Sequence, residues 1–226
     1  MTGTLIVIDG SDGAGKKTQV HLLKQRLEKE GRHAKTLDFP QYSSFFGKLV
    51  ARYLRGEFGS LKEVKPELAS VLYALDRYAQ AEKIRRWLHD DCVVILDRYV
   101  ESNMAYQSAK IKEGKQRDEF VAWVREMEYE HLHLPRPNMV VYLCVPVKVS
   151  SSLLKGRPQK HGSDDDIHEQ DKKFQQKVVD AYMALADKFR WPVIDCAPDG
   201  MLLPKEAISE EIYNLVAPVL QSSKSL

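Results

Sequence analysis

The sequence is poor in cysteine, in long apolar runs and in excess charge of either sign. Its three cysteines, Cys92, Cys144 and Cys196, form no C-x-x-C pair, and each falls in a stretch that reads as a strand. With no nearby His or Cys to complete a ligand set, a cysteine-held metal is not expected, whereas buried free thiols in a reducing compartment are. No apolar run approaches the length of a membrane-crossing helix, and the first residues pass into an apolar strand without a charged, cleavable leader. The cytoplasm is therefore the expected location. The 34 basic and 32 acidic residues leave a net charge of +2, which offers no global attraction to nucleic acid or to a membrane. Internal repeats and low-complexity linkers are missing as well. The 226 residues, 43% of them hydrophobic, suit one globular domain over residues 1–226 with a sizeable core.

Against this even background one stretch stands out: Leu5-Ile6-Val7-Ile8-Asp9-Gly10-Ser11-Asp12-Gly13-Ala14-Gly15-Lys16-Lys17-Thr18. It reads as a buried strand, a glycine-rich turn and the start of a helix. Gly10, four residues, Gly15 and Lys16 make the G-x-x-x-x-G-K core of a phosphate-binding loop. Backbone N–H groups curl inward where no Cβ intervenes, and the positive end of the following helix adds to the field that holds phosphate oxygens. Lys16 is placed to meet terminal phosphates as a point charge. The hydroxyl residue that should follow it, and hold Mg²⁺, is replaced by Lys17. Thr18 lies one position later, a rotation of about 100° on a helix, so it does not substitute directly.

Downstream, apolar runs at residues 34–39, 92–96, 139–145 and 192–196 read as further strands, with helical periodicity between them. Pro66 opens a helix on which Leu68, Val71, Leu72 and Leu75 form an i, i+3, i+4, i+7 stripe, expected to face the core. Phe120, Val124 and Met127 mark another helix, as do Phe174, Val178, Tyr182, Leu185 and Phe189. Ile208, Ile212, Leu215 and Val219 mark the last. The run at 92–96 is apolar throughout, so both faces of that strand must be covered. Strands alternating with helices predict an α/β fold with a five-stranded parallel sheet and ligands at the carboxyl ends of the strands. The glycine loop, Phe39-Pro40 and Asp97-Arg98-Tyr99 all fall there.

Asp97, closing a buried strand beside the loop, is the candidate holder of Mg²⁺, directly or through water, and Arg98 offers a planar fork able to bridge two phosphates. Lys155-Gly156-Arg157-Pro158-Gln159-Lys160-His161-Gly162 reads either as a solvated loop or as a segment that closes over a migrating phosphate. Tyr73 and Arg77 share a helix face. They could stack on and hydrogen-bond a base, although by themselves a core tyrosine beside a salt-bridged arginine is the simpler explanation of the pair.

Taken together these residues resemble the thymidylate kinase family over residues 4–196. The motifs are Asp12-Gly13-Ala14-Gly15-Lys16, Phe39-Pro40, Leu75-Asp76-Arg77, Asp97-Arg98-Tyr99 with Ser102-Asn103 and Tyr106-Gln107, and Leu134-Pro135-Arg136-Pro137-Asn138. The resemblance implies a three-layer P-loop NTPase-type fold, a homodimer, and transfer of the γ-phosphoryl of ATP to dTMP with Mg²⁺. It implies that residues 10–18 hold ATP phosphates with Lys16 and that Arg157 and Lys160 are cations of a lid over 155–171, which Asp166, His168 and Glu169 close. The dTMP site it implies comprises Asp12, Phe39, Tyr42, Tyr73, Arg77, Arg98, Asn103, Tyr106 and Gln107. Within it Asp12 meets the 3′-hydroxyl, Arg98 the phosphate, Arg77 and Tyr73 the base, and Tyr106 the place of a 2′-hydroxyl. Asp195-Cys196-Ala197 resembles the turn bordering adenine. Gln41 stands where the family often has arginine, and Gly13 where one subgroup does. The alternatives are a kinase for another deoxynucleoside monophosphate and a nucleotide-binding module without catalysis, the latter prompted by Lys17.

Overall fold

A computed structural model describes residues 2–155 and 172–222 of the chain. The five strands are β1 (Thr4–Gly10), β2 (Ala34–Asp38), β3 (Val93–Asp97), β4 (Met139–Cys144) and β5 (Val193–Asp195), in the order β2-β3-β1-β4-β5. All neighbouring pairs are parallel, with Ile6 opposite Ile95 on one side of β1 and opposite Met139 on the other. Side chains alternate across the sheet. Leu5, Val7, Val94, Leu96, Val140 and Tyr142 enter one core, and Ile6, Ile8, Val93, Ile95, Val141 and Leu143 enter the other. This two-sided burial explains why the strands read as continuous apolar runs.

Helices cover both faces. Helix α1 (Lys16–Lys29) packs on the second core through Val20, Leu23 and Leu27. Helix α2 (Phe45–Leu54) and α3 (Pro66–His89) enclose a smaller cluster of Val50, Tyr53, Leu54, Val64 and Ala69. Helix α4 (Val100–Ser108) lies in the first core, followed by α5 (Lys115–Arg125), which runs into a π-helical turn at Glu126–His131. Then come α6 (Val147–Lys155), α7 (Lys172–Phe189) and α8 (Lys205–Ser222). None of the described helices is long and apolar enough to cross a membrane. Among the described residues no disulfide forms; Cys92 and Cys196 are buried, while Cys144 is half-buried.

Two expectations change. The stripe on α3 does not enter the core as a unit: Leu68 is 56% exposed, Val71 and Leu75 are half-buried, and half-buried Leu72 packs on the cluster between α2 and α3. The helix instead buries Ala69, Ser70, Ala74, Arg77, Ala81, Ile84 and Leu88. Small and charged residues take the inner face because another helix and a cavity press against it. Helix α4 has no counterpart in the periodicity, since every residue of it is buried, including Glu101, Ser102, Asn103 and Gln107. A helix enclosed on all sides has no polar face to reveal its period.

Gly47 sets the entry to α2. A Cβ there would lie 1.9 Å from the backbone oxygen of Gln41, far inside contact distance. Gly47→Ala is expected to cost about 1–3 kcal/mol through backbone displacement. Thermal melts check this; a melting temperature equal to the wild type's would show that the Gln41 backbone gives way freely.

Candidate active site

The site is built where β1, β2 and β3 end. Gly15 caps α1 in a left-handed conformation, φ 82°, and no side chain occupies the cap, so the first amides of the helix face the loop unopposed. A Cβ at Gly10, φ 157°, would meet the Leu143 oxygen at 2.7 Å. Lys16 is buried and folds over this loop, its Nζ donating to the Ser11 oxygen at 2.8 Å. Burial, helped by the nearby Arg98 charge, lowers its pKa to about 8. Lys17 and Thr18 are both exposed on α1. Asp97 closes β3 beside Lys16. Burial raises its pKa, against the pull of Lys16 and Arg98.

Arg98 follows with a left-handed backbone, φ 67°, a conformation that non-glycine residues adopt at a cost and keep where the surroundings demand it. The turn aims its guanidinium inward. Nη1 donates to the Gly10 oxygen at 3.1 Å and to Ser102 Oγ at 3.2 Å, and Nη2 donates to Asp12 Oδ1. The hydroxyl of Tyr106 donates to the other Asp12 oxygen at 2.5 Å, and the Arg98 guanidinium lies 5.3 Å from the Tyr106 ring centre. Arg98 therefore ties the phosphate loop to a neighbouring cavity.

That cavity is lined by Asp12, Arg98, Ser102 and Tyr106 on the loop side. Phe39, Pro40, Tyr42 and Leu54 form one wall, and Tyr73, Arg77, Asn103 and Gln107 the far end. All nine residues expected around the acceptor thus meet in one place, brought from β2, α3, α4 and the loop. Tyr73 packs edge-on against Tyr53 at 6.2 Å while lining the cavity. The salt-bridged reading of Arg77 holds. It lines the cavity, and it forms a buried pair with Glu128 through Nε at 2.5 Å and Nη2 at 2.7 Å. Asp76, 1% exposed, fastens the wall by accepting from Gln41 N at 2.8 Å and Ser44 Oγ at 2.9 Å. The side chain of Gln41 itself donates to the Asp38 backbone oxygen and to Asp38 Oδ1.

Sequence reasoning passed over Asp9, Ser102 and Tyr182 as site residues. Asp9 Oδ1 accepts from Gly10 N at 2.8 Å, Ser102 Oγ at 2.7 Å and the Tyr182 hydroxyl at 2.8 Å, tying the loop to α4 and α7. A carboxylate directly before the glycine loop was the available signal for Asp9. Tyr182 carried none, because its ring obeys the core periodicity and only its hydroxyl reaches the site. Glu128 was invisible for another reason: it belongs to no motif, and a lone acid in a sequence reads as a solvated residue. Asp195 caps its own turn by accepting from Ala197 N at 3.0 Å, and Cys196 is buried beside it. Arg157, Lys160, Asp166, His168 and Glu169 lie outside the described residues.

Comparison with known proteins gives one answer. The thymidylate kinase family matches residues 8–208. The chain is 37% identical over 200 residues to a thymidylate kinase of Mycobacterium tuberculosis, covering 86% of this chain and 92% of that protein. It is 32% identical over 141 residues to human thymidylate kinase, covering 62% of this chain and 60% of that protein. A solved thymidylate kinase of Candida albicans superposes with a TM-score of 0.71 at 23% identity, over 96% of this chain and 92% of that one, and shares the fold. A glycine-rich loop joined through one arginine to the cavity beside it, in a chain matched over nearly its whole length, has a single consistent assignment: the protein belongs to the thymidylate kinase family.

Proposed function

We propose that this chain transfers the γ-phosphoryl of ATP to dTMP by positioning and charge neutralisation, with the roles that follow. The amides of residues 10–18 and Lys16 hold the ATP phosphates. dTMP lies in the cavity with its phosphate at Arg98, its sugar between Asp12 and Tyr106, and its base at Tyr73, Arg77, Asn103 and Gln107. Phe39 and Tyr42 flank it. The observation that carries this reading is the Arg98 guanidinium, bonded at once to the Gly10 oxygen of the donor loop and to Asp12 and Ser102 of the acceptor cavity. In-line transfer needs a fixed cation between donor and acceptor oxygens, and no covalent intermediate. Arg157 and Lys160 are proposed as further cations over the transferring group, on the family resemblance of their segment.

Asp97 suits Mg²⁺. The ion is commonly held by one or two carboxylates with water and substrate phosphates, and no cluster of three acidic, His or Cys ligands occurs among the described residues. Its burial beside the loop makes an uncompensated carboxylate costly, so a cation would be welcome there. Bound Mg²⁺ would neutralise phosphate charge; with Lys17 where a hydroxyl is usual, Asp97 and water would hold it.

A homodimer and a cytoplasmic location complete the proposal. The exposed side chains of Leu68 (56%) and Tyr78 (50%) on α3 support pairing of two copies through that helix. The unpaired cysteines support a reducing compartment. Coupled ADP release with ATP and a panel of dTMP, dUMP, dCMP, AMP and unphosphorylated thymidine tests the reaction. A preference for AMP, or for nucleosides lacking phosphate, would overturn it.

The lowered pKa of Lys16 gives a pH signature. Its folded pKa of about 8 lies below the usual 10.5, so between these values the free protein holds less proton there than an exposed lysine would. Arg98 opposes the charge, while Asp97, Asp12 and Asp9 favour it. A polyphosphate must restore the proton. ATP binding at pH 8.5 is therefore expected to take up protons, and kcat/KM for ATP to fall as pH rises above 8, approaching about tenfold per unit. Calorimetry in buffers of different ionisation enthalpy reads the uptake; Lys16→Met should abolish it.

A further inference from the structure

Glu128 is completely buried, yet it lies behind the base end of the cavity rather than in it. The π-helical turn Glu126–His131 carries it inward. Such widened turns are costly and are often retained at functional sites. Its carboxylate takes Nε and Nη2 of Arg77, and its Oε1 also accepts from Asn103 Nδ2 at 2.8 Å. The same Asn103 nitrogen donates to the Ser70 oxygen at 3.2 Å.

Both neighbours of the Asn103 amide are acceptors, so only its NH₂ group can face them. The oxygen must then point the other way, and Asn103 Oδ1 is in fact buried without a partner in a residue that lines the cavity. Arg77 is constrained likewise: with Nε and Nη2 committed, Nη1 is the nitrogen left for a ligand. Glu128 thereby sets the polarity of the far wall, one acceptor and one donor.

We infer that Glu128 is a positioning residue for base choice: by pinning the Asn103 amide and the Arg77 fork, it makes the cavity accept a pyrimidine with an N3–H donor and an O4 acceptor and reject the amino-pyrimidine that reverses them. The inference rests on the reading that Arg77 and Asn103 meet the base, and it adds what decides their orientation. Thymine offers N3–H to Asn103 Oδ1 and O4 to Arg77. Cytosine sets a bare N3 against that oxygen and an amino group against the guanidinium. In a buried site each mismatch leaves polar groups unpaired, which is where large discrimination arises. In Glu128 one oxygen, Oε1, accepts from both Arg77 Nη2 and Asn103 Nδ2, while Oε2 takes Arg77 Nε. A glutamine there turns one of these oxygens into a donor: against Arg77 Nε it drives the fork from its place, and against Nη2 and Nδ2 it breaks both holds and frees the Asn103 amide to turn its NH₂ group to the cavity.

The experiment is kcat/KM for dTMP and for dCMP with ATP, in wild type, Glu128→Gln, Glu128→Asp and Asn103→Ala. The ratio of the two substrates is internal to each preparation, so a smaller folded fraction does not move it. Glu128→Gln is expected to lower the dTMP-to-dCMP ratio by about tenfold or more, chiefly through KM for dTMP, with KM for ATP unchanged. Glu128→Asp keeps the charge but cannot reach Arg77 and Asn103 together, and should lower the ratio less. An unchanged ratio in a folded Glu128→Gln protein overturns the inference; should that variant not fold, an unchanged ratio in Glu128→Asp does so. Asn103→Ala separates the two levels. If it too keeps the ratio, the base reading fails and takes the inference with it. If it loses the ratio while Glu128→Gln keeps it, only the role of Glu128 is lost.

Discussion

Arg98→Ala is expected to lower kcat by about 10²–10⁴-fold, because the fixed cation between the two phosphate sites disappears. No other described side chain both touches the Gly10 oxygen and reaches Asp12 and Ser102. Part of the loss will come from Asp12, whose carboxylate keeps Tyr106 but loses Arg98. Arg98→Lys should recover little, since a point charge on a flexible stem cannot reproduce a planar fork that meets three oxygens. Steady-state ADP release at saturating ATP and dTMP, with dTMP binding followed separately by calorimetry, distinguishes turnover from affinity. Turnover near wild type in the alanine variant would show that the charges have been assigned to the wrong residue.

The second large effect is on stability. In Arg77→Ala, Glu128 stays completely buried with its ion-pair partner gone and, among the described residues, only Asn103 left to donate to it. Breaking a buried pair on one side costs about 3–5 kcal/mol, or roughly 6–20 °C in Tm for a chain of this size. Affinity for dTMP should fall with it. Removing both charges separates the two roles. Arg77→Met with Glu128→Leu fills the space with apolar groups and should restore much of the melting temperature, but none of the dTMP affinity. A double variant that regained both would mean that Arg77 only supports the wall and does not read the base.

The parts of this site that could be read in advance share a physical character. The phosphate loop is contiguous, so its spacing is a local property of the chain. The strands were legible because a parallel sheet covered on both faces demands apolar runs, and Leu5 to Ile8 are all fully buried. The stripe on α3 misled for an equally physical reason. Periodicity reports an apolar face without saying what covers it, and here the inner face is Ala69, Ser70, Ala74 and Arg77, pressed against a cavity and a buried acid. Helix α4 left no periodic trace because nothing on it meets solvent, although it supplies Ser102, Asn103, Tyr106 and Gln107 to the site.

By itself the chain determined its class, its donor loop and the order in which its motifs reach one edge of a sheet, because these depend on neighbours in sequence and on the alternation of buried strands. Only the tertiary structure decided the partners. Asp9 with Tyr182, Asp76 with Ser44 and Arg77 with Glu128 are separated by tens to more than a hundred residues. A buried charge is tolerable only beside its complement, and which complement arrives is settled by how the helices pack, not by any spacing along the chain.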